Sequence, residues 1–190
     1  FVVGQIVWQN TGELQGATQV YGLVLGLNGQ IFAGTKSSAG TAMDSGWVYK
    51  SQDLWSWEIC NEIPGDQEGV FCLFNGVGDT LFAGTGMWTE LPRVFKSSDG
   101  GQSWVILNDY GTYRPGSRVT AFFEDNMGIL HLGMRYFGMS AAIPRRSLDR
   151  GTTWLVDSGT INYNSEHHNF FQSTDGTLYF GSWGVRGGVH

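Results

Sequence analysis

Basic side chains are scarce in this chain. Its 190 residues include 11 Lys and Arg against 17 Asp and Glu, which gives a formal net charge of −6. No segment is locally rich in Lys or Arg, so the chain has no positive field that would attract phosphate backbones. The charge balance therefore argues against a nucleic acid partner.

Long apolar runs are missing as well. No run approaches the roughly 20 residues that a membrane-spanning helix needs, so we expect no membrane span. The sequence begins at Phe1 and carries no signal peptide at its start. We therefore expect a processed chain or a piece of a longer one.

Cysteine is also rare. Cys60 and Cys72 are the two cysteines of the sequence, which is too few to define a disulfide framework. Both lie in apolar, strand-like segments, WEICNEI and VFCLF. We expect them to be buried thiols.

Glycine and aromatic residues are abundant instead. The chain has 29 glycines, together with 8 tryptophans, 7 tyrosines and 12 phenylalanines. Glycine at this level without a collagen-like period indicates a fold with many turns. With 41% hydrophobic residues the chain can bury a substantial core, and an all-β fold is the first expectation.

A repeat of about 49 residues runs through the sequence. Each copy places a turn glycine before a short apolar strand that ends in another glycine: GLNGQIFAGT (26–35), GVGDTLFAGT (76–85), NMGILHLGM (126–134) and STDGTLYFGS (173–182). The closing glycines are Gly34, Gly84, Gly133 and Gly181. A repeat of this length predicts a solenoid or a propeller.

The same repeat predicts four antiparallel strands per copy. A first apolar strand precedes each glycine-flanked strand, at VYGLVL (20–25), VFCLF (70–74), VTAFF (119–123) and HNFFQ (168–172), and forms a hairpin with it. A third strand follows at WVYKS (47–51), RVFKS (93–97) and PRRS (144–147), and a fourth opens at a tryptophan. No helical period is present, so the layout is that of β-propeller blades.

A repeated octet, S-x-D-x-G-x-[ST]-W, joins the third and fourth strands. It occurs at SSDGGQSW (97–104) and SLDRGTTW (147–154), and a copy at SQDLWSW (51–57) is one residue short and lacks the glycine. Asp and Ser side chains hydrogen-bond turn amides, Gly supplies a positive φ, and Trp buries its ring. We expect a distorted turn in the short copy.

The octet resembles the Asp-box, or BNR repeat, of sialidase-like propellers. The matching residues are Ser51, Asp53 and Trp57, then Ser97, Asp99, Gly101 and Trp104, and finally Ser147, Asp149, Gly151 and Trp154. The resemblance implies that these turns are structural and lie on the face away from the ligand site. Asp53, Asp99 and Asp149 are therefore not expected to be catalytic.

The repeat sets the predicted domain organisation: one propeller segment over residues 1–190. Its parts are a partial blade at 1–12, blades at 20–63, 69–111 and 117–160, and a partial blade at 167–190. About four blades are present. We favour part of a larger propeller, because a four-bladed ring is rare and would leave an open edge; the alternative is a small ring that residues 2–8 close by pairing with 187–190.

Candidate ligand residues lie in the loops opposite the octets. Those loops vary in length, and variable loops on a repeated scaffold are where binding resides. An exposed aromatic ring can stack on the apolar face of a sugar, while acids, amides and arginines bond its hydroxyls. The favoured residues are Trp88, Glu90, Arg118, Arg135, Tyr136, Trp183 and Arg186, with Phe137, Glu68, Arg114 and Glu166 as further candidates. The plain alternative is that they are loop-packing aromatics and solvated charges.

Catalytic and metal sites are less well supported. The sialidase resemblance implies an arginine triad, a Tyr–Glu pair and an aspartate, but AIPRR (142–146) does not match the family's R-I-P motif and no Tyr–Glu pair can be assigned. Arg118 is the best-placed candidate for a substrate carboxylate. His167 and His168 are adjacent and should point to opposite faces of a strand, which disfavours a shared metal ion.

Two functional hypotheses remain open. The first is a secreted or cell-surface scaffold that binds a glycan or a protein ligand, without a cofactor or a metal. The alternative is a fragment of a sialidase-like glycoside hydrolase whose other catalytic groups lie elsewhere. The sequence leaves enzymatic activity undecided.

Overall fold

A computed structural model describes residues 10–37, 46–64, 69–86, 91–107, 117–135, 144–157, 166–183 and 188–189. These residues form fifteen strands and no helix, and hence no helix long and apolar enough to cross a membrane. The strands are β1 (Gln19–Leu25), β2 (Ile31–Lys36), β3 (Val48–Ser51), β4 (Glu58–Ile59), β5 (Val70–Gly76), β6 (Thr80–Thr85), β7 (Val94–Ser97), β8 (Val105–Leu107), β9 (Arg118–Glu124), β10 (Leu130–Arg135), β11 (Arg145–Ser147), β12 (Leu155–Val156), β13 (Glu166–Gln172), β14 (Leu178–Trp183) and β15 (Gly188–Val189).

Consecutive strands pair antiparallel and form blade-like sheets. The first two sheets have the orders β1-β2-β3-β4 and β5-β6-β7-β8. The third, β9-β10-β11-β12, is linked to β13-β14-β15 through the single pairing of Arg135 with Glu166. The all-β propeller of four-stranded blades is confirmed, and in the last blade the short strand β15 pairs with β14.

The first strands are the innermost, and the blades pack through them. β1 contacts β5, β5 contacts β9, and β9 contacts β13, while each second strand also touches the first strand of the next blade. Two apolar clusters fill the space between blades, one around Phe32, Val70 and Phe95, the other around Phe82 and Leu132. The core therefore consists of interblade layers rather than one central mass.

The closing glycines allow this close packing. A Cβ atom built on Gly34 would lie 2.8 Å from Val70 Cγ1, and one on Gly84 would lie 2.6 Å from Val119 Cγ1. One on Gly133 would lie 3.0 Å from the Cβ of His167. Real Cβ contacts are rarely this short, so a side chain at these positions would push the next blade away.

The tryptophans of the octets require a correction. The fourth strands begin one residue after each tryptophan and are only two or three residues long, because the tryptophan itself still belongs to the turn. Trp104 is 6% exposed and packs with Cys60 of the preceding blade, as predicted, whereas Trp154 and Trp57 are half-buried.

Both cysteines are free and buried, as expected. Burial raises the pKa of Cys60 to about 11, and burial also raises the pKa of Cys72 strongly. These thiols therefore stay protonated and unreactive near neutral pH. Residues 1–9 lie outside the described part of the chain, so the predicted partial blade at 1–12 and the pairing of 2–8 with 187–190 stay predictions.

Candidate ligand cleft

Each blade has two different ends. One end of each blade carries the turn of the first hairpin and the octet turn, and we call it the turn end. The opposite end carries the connection from the second to the third strand and the connection to the next blade, and we call it the loop end. The first two strands meet at the loop end through Gln19–Lys36, Val70–Thr85, Arg118–Arg135 and Glu166–Trp183. This end is the one at which the sequence predicted ligand binding.

A β-bulge recurs in the first strand of all four blades, near the loop end. The pairing skips one residue between Val20 and Gly22, and the same shift recurs in β5, β9 and β13. The extra residues are Tyr21, Phe71, Thr120 and His168. A bulge leaves its extra residue out of the ladder and redirects its side chain, and bulges are common beside binding sites.

The four bulge residues line a single cleft. Together with Arg118 and Asn169 they surround a cavity of about 280 Å³. The cleft lies at the loop end of the innermost strands, so every described blade contributes to it. We call it the bulge cleft.

Aromatic rings and a guanidinium form one side of the bulge cleft. The rings of Tyr21 and Phe71 are 4.8 Å apart at 55°, and Arg118 Cζ lies 4.9 Å from the centre of the Phe71 ring. Phe71 is 6% exposed while Tyr21 is 39% exposed, so the phenylalanine supports the arginine and the tyrosine ring is open to a ligand. The cation–π contact orients the guanidinium within the cleft.

The other residues that line the bulge cleft are polar. His168 and Asn169 are exposed, and Thr120 donates its hydroxyl to the carbonyl of His167. None of the described lining residues is Asp or Glu, whereas Arg118 carries a permanent positive charge. The cleft therefore offers a ring face, amide and imidazole groups, and a site for a negative or hydroxyl-rich group.

The other predicted ligand residues have different positions. Arg135 is half-buried and stands in register with Arg118 on the neighbouring strand, and Trp183 ends β14 at the loop end with 61% of its surface exposed. The remaining candidates lie outside the described residues and stay predictions: Trp88, Glu90, Tyr136, Arg186, Phe137, Glu68 and Arg114. Glu166 is described only as the first residue of β13.

Sequence reasoning missed Tyr21, Phe71 and Thr120 as lining residues. The extra residue shifts the in-and-out alternation at one fixed position of each first strand, but segments such as VYGLVL and VFCLF are apolar on both faces, so the shift leaves no mark in the sequence. His167 and His168 do differ in exposure, as the two-face argument expected: His167 is 1% exposed and packs edge-on against Phe180 at 4.8 Å, and His168 faces solvent. Within the described part of the chain, no three His, Cys, Asp or Glu residues converge as a metal site would require.

The octet turns lie at the turn end, and their aspartates bond their own turns as predicted. Asp99 accepts the amide of Ser103 at 2.8 Å, and Asp149 accepts that of Thr153 at 2.7 Å. The hydroxyls of Ser103 and Thr153 donate to the same carboxylates. These hydrogen bonds lower the pKa of Asp99 and Asp149 to about 2, so both carboxylates remain ionised and bound within the turn.

Several solved structures share this fold. A protein of unknown function from Dyadobacter fermentans matches with a TM-score of 0.66 at 14% identity, over 92% of this chain and 65% of that chain. The Hadza microbial sialidase Hz136 matches with a TM-score of 0.64 at 18% identity, over 88% of this chain and 42% of that chain. A fructofuranosidase from Schwanniomyces occidentalis, complexed with fructose, matches with a TM-score of 0.58 at 12% identity, over 94% of this chain and 44% of that chain.

At such low identities the likeness concerns the fold alone. The chain spans less than two thirds of the length of each of these structures. No family model matches the sequence, and no curated protein is similar to it by sequence.

Proposed function

We propose that the chain is a carbohydrate-binding propeller segment, secreted or displayed at a cell surface, and that the bulge cleft is its binding site. The observation that carries this proposal is the recurrence of the bulge: four blades each direct one side chain into the same cleft, beside an arginine held on an aromatic ring. Two of the structures that share the fold are a sialidase and a fructofuranosidase, which supports a carbohydrate as the ligand class.

The chemistry of the cleft favours a sugar with an acidic or hydroxyl-rich edge. The open ring of Tyr21 can stack on the apolar face of a pyranose, and Arg118 can donate two hydrogen bonds to a carboxylate. His168 and Asn169 also line the cleft, and their side chains suit hydroxyl groups. In this proposal the octet turns are Asp-boxes that hold the blades, and Trp183, with Trp88 and Tyr136 in the loops, extends the binding surface.

Binding should be measured by calorimetry with oligosaccharides that end in a uronic or sialic acid and with matching neutral oligosaccharides. Replacing Arg118 with Ala should weaken binding of the acidic sugars by about tenfold or more, because a hydrogen bond to a charged group is lost. Arg150→Gly is the matched control, since it removes an arginine from the turn end and suits a residue with φ of 56°. Undiminished binding by an Arg118→Ala, Tyr21→Ala double variant would contradict the proposal.

The second candidate is a sialidase-like glycoside hydrolase, which the position of Arg118 in the cleft favours. Its test is the release of the aryl group from an aryl sialoside by the full chain. If the wild-type chain releases the aryl group, Arg118→Ala abolishes that release and Arg150→Gly leaves it unchanged, the hydrolase hypothesis is established. Binding of the sugar without release of the aryl group supports the binding-scaffold hypothesis.

A further inference from the structure

Phe71 is buried outside the core of the molecule. Its side chain is 6% exposed, yet neither of the two interblade apolar clusters includes it. The ring packs against the backbone just before β5, where a Cβ atom on Gly69 would lie 2.8 Å from Phe71 Cζ. The guanidinium of Arg118 lies over the same ring, with Cζ 4.9 Å from its centre. The ring therefore belongs to the bulge cleft rather than to an interblade layer.

The blade that contains Phe71 also holds the backbone of Arg118. Arg118 begins β9, where it pairs with Arg135 of its own blade and forms an antiparallel bridge with Gly86 of the preceding blade. The approach is close, since a Cβ atom on Gly86 would lie 2.8 Å from the Cα atom of Arg118. An arginine side chain is long and loses much freedom when it binds a ligand. Because both the backbone and the guanidinium of Arg118 are already held, less freedom is left to lose.

This arrangement matters most for a ligand with a negative group. Among the described residues that line the bulge cleft, Arg118 is the one with a permanent charge. Hydrogen bonding between a guanidinium and a carboxylate depends on direction, because the guanidinium presents its donors in a planar fork. A neutral sugar relies instead on ring stacking and on hydrogen bonds to its hydroxyls. The ring that orients Arg118 should therefore affect acidic sugars more than neutral ones.

We propose that Phe71 determines the specificity of the bulge cleft: its ring holds the guanidinium of Arg118 so that the cleft prefers sugars with a carboxylate to matching neutral sugars. Phe71 is a positioning residue, since it acts on the ligand through Arg118. This inference rests on the proposed function, because it requires a sugar in the bulge cleft. It adds that the preference for an acidic sugar is set by the blade next to the one that carries the charge.

Calorimetry with the acidic and the matching neutral oligosaccharides tests the inference through the ratio of their dissociation constants. Phe71→Leu keeps an apolar side chain without a ring, and it should reduce the preference for the acidic sugar roughly three- to tenfold. A fluorinated phenylalanine at position 71 keeps the shape of the ring but weakens the negative potential of its face, so it should reduce the preference in the same direction. Phe74→Leu is the matched control, because Phe74 lies in the same strand, packs on Phe82 and Phe122 and does not line the cleft.

The outcomes distinguish this inference from the proposed function. A reduced preference in both Phe71 variants supports the inference, provided that the neutral sugar still binds, circular dichroism is unchanged and Phe74→Leu keeps the wild-type ratio. Should Phe71→Leu fail to fold, the fluorinated variant decides the matter alone. A wild-type preference in the fluorinated variant, or an equal loss of both sugars in Phe71→Leu, would overturn the inference while the proposed function stands. A wild-type chain that binds neither sugar would overturn both.

Discussion

The two complete octet turns and the shortened one use the same serine and aspartate hydrogen bonds but have different backbone conformations. In the complete turn at 147–154, Arg150 and Gly151 are both left-handed, and Ser147 Oγ accepts the amide of Gly151 at 2.6 Å. In the short turn at 51–57, Leu54 is the left-handed residue, with φ of 69°, and Ser51 Oγ accepts its amide at 2.9 Å.

The difference separates two roles of the octet. The serine and the aspartate keep their hydrogen bonds in the short turn, where Asp53 accepts the amides of Trp55 and Ser56. What the glycine adds is a contact with the preceding blade. A Cβ atom on Gly101 would lie 2.8 Å from Cys60 Sγ, and one on Gly151 would lie 2.8 Å from Leu107 Cδ1, whereas Leu54 of the short turn is 36% exposed. The polar residues build the turn, and the glycine seats it on its neighbour.

The largest difference in stability between the complete and the short turn should come from replacing their tryptophans. Trp104→Ala removes a buried ring from an interblade cluster and should lower the free energy of unfolding by about 3–5 kcal/mol. Trp57→Ala should lower it by clearly less, because its ring is half-buried. Denaturant unfolding followed by circular dichroism measures both. Equal losses would contradict the difference in burial between the two rings.

Replacing the serines should instead lower the free energy of unfolding by a similar amount in both kinds of turn. Ser97 and Ser51 are both buried and both accept a turn amide. Replacing either with Ala should lower the free energy of unfolding by about 1–3 kcal/mol, because it leaves buried amides without acceptors. The exposed Ser98 provides the control, since Ser98→Ala removes a hydroxyl of the same kind from the same turn. A large loss at Ser97 with none at Ser51 would contradict the shared role.

A smaller gain is expected at Leu54. Leucine in the left-handed region is strained, so Leu54→Gly should raise the free energy of unfolding by up to about 1 kcal/mol, despite the greater freedom that glycine gives the unfolded chain. Gly100→Ala, at φ of 67° in a complete turn, is the reverse change and should destabilise. Thermal melts of the two variants should move in opposite directions. Movement in the same direction would rule out strain as the cause.

The smallest difference between the turns should be that of the aspartates, because all three carboxylates accept amides of their own turns. Hydrogen bonds within the turns lower the pKa of Asp53, Asp99 and Asp149 to about 2. A lowered pKa contributes stability above the unfolded value near 4, and that contribution is lost as the pH falls toward 2. Stability measured from pH 5 to 2 should therefore fall, with a shallower slope in Asp99→Asn. An unchanged slope in Asp99→Asn and Asp53→Asn would contradict the assignment.

The sequence predicted the hairpins because their turns are local. Asn, Asp and Gly at fixed positions before each second strand determine where the chain reverses, and Gly29 and Gly78 do have positive φ there. The octets were equally clear, since serine and aspartate bond amides only a few residues away. These features depend on neighbours along the chain, which a sequence displays directly.

The bulge cleft could not be predicted in the same way, because it depends on which face an extra residue takes. In VFCLF every residue is apolar, so the pattern does not show that Phe71 leaves the ladder. His167 poses a similar difficulty. This histidine takes the position of Val70 and Val119 and is buried in an interblade layer. A histidine does not by its residue type predict a position in the core.

The bulges separate the positions that pair the strands from the positions that line the cleft. Tyr21, Phe71, Thr120 and His168 occupy one equivalent position in four repeats, yet they are four different residue types. Since these residues stand outside the ladder, a change at one of them alters the surface of the cleft while the pairing of its blade is kept. One repeated backbone thus presents four different side chains at the same position of the cleft.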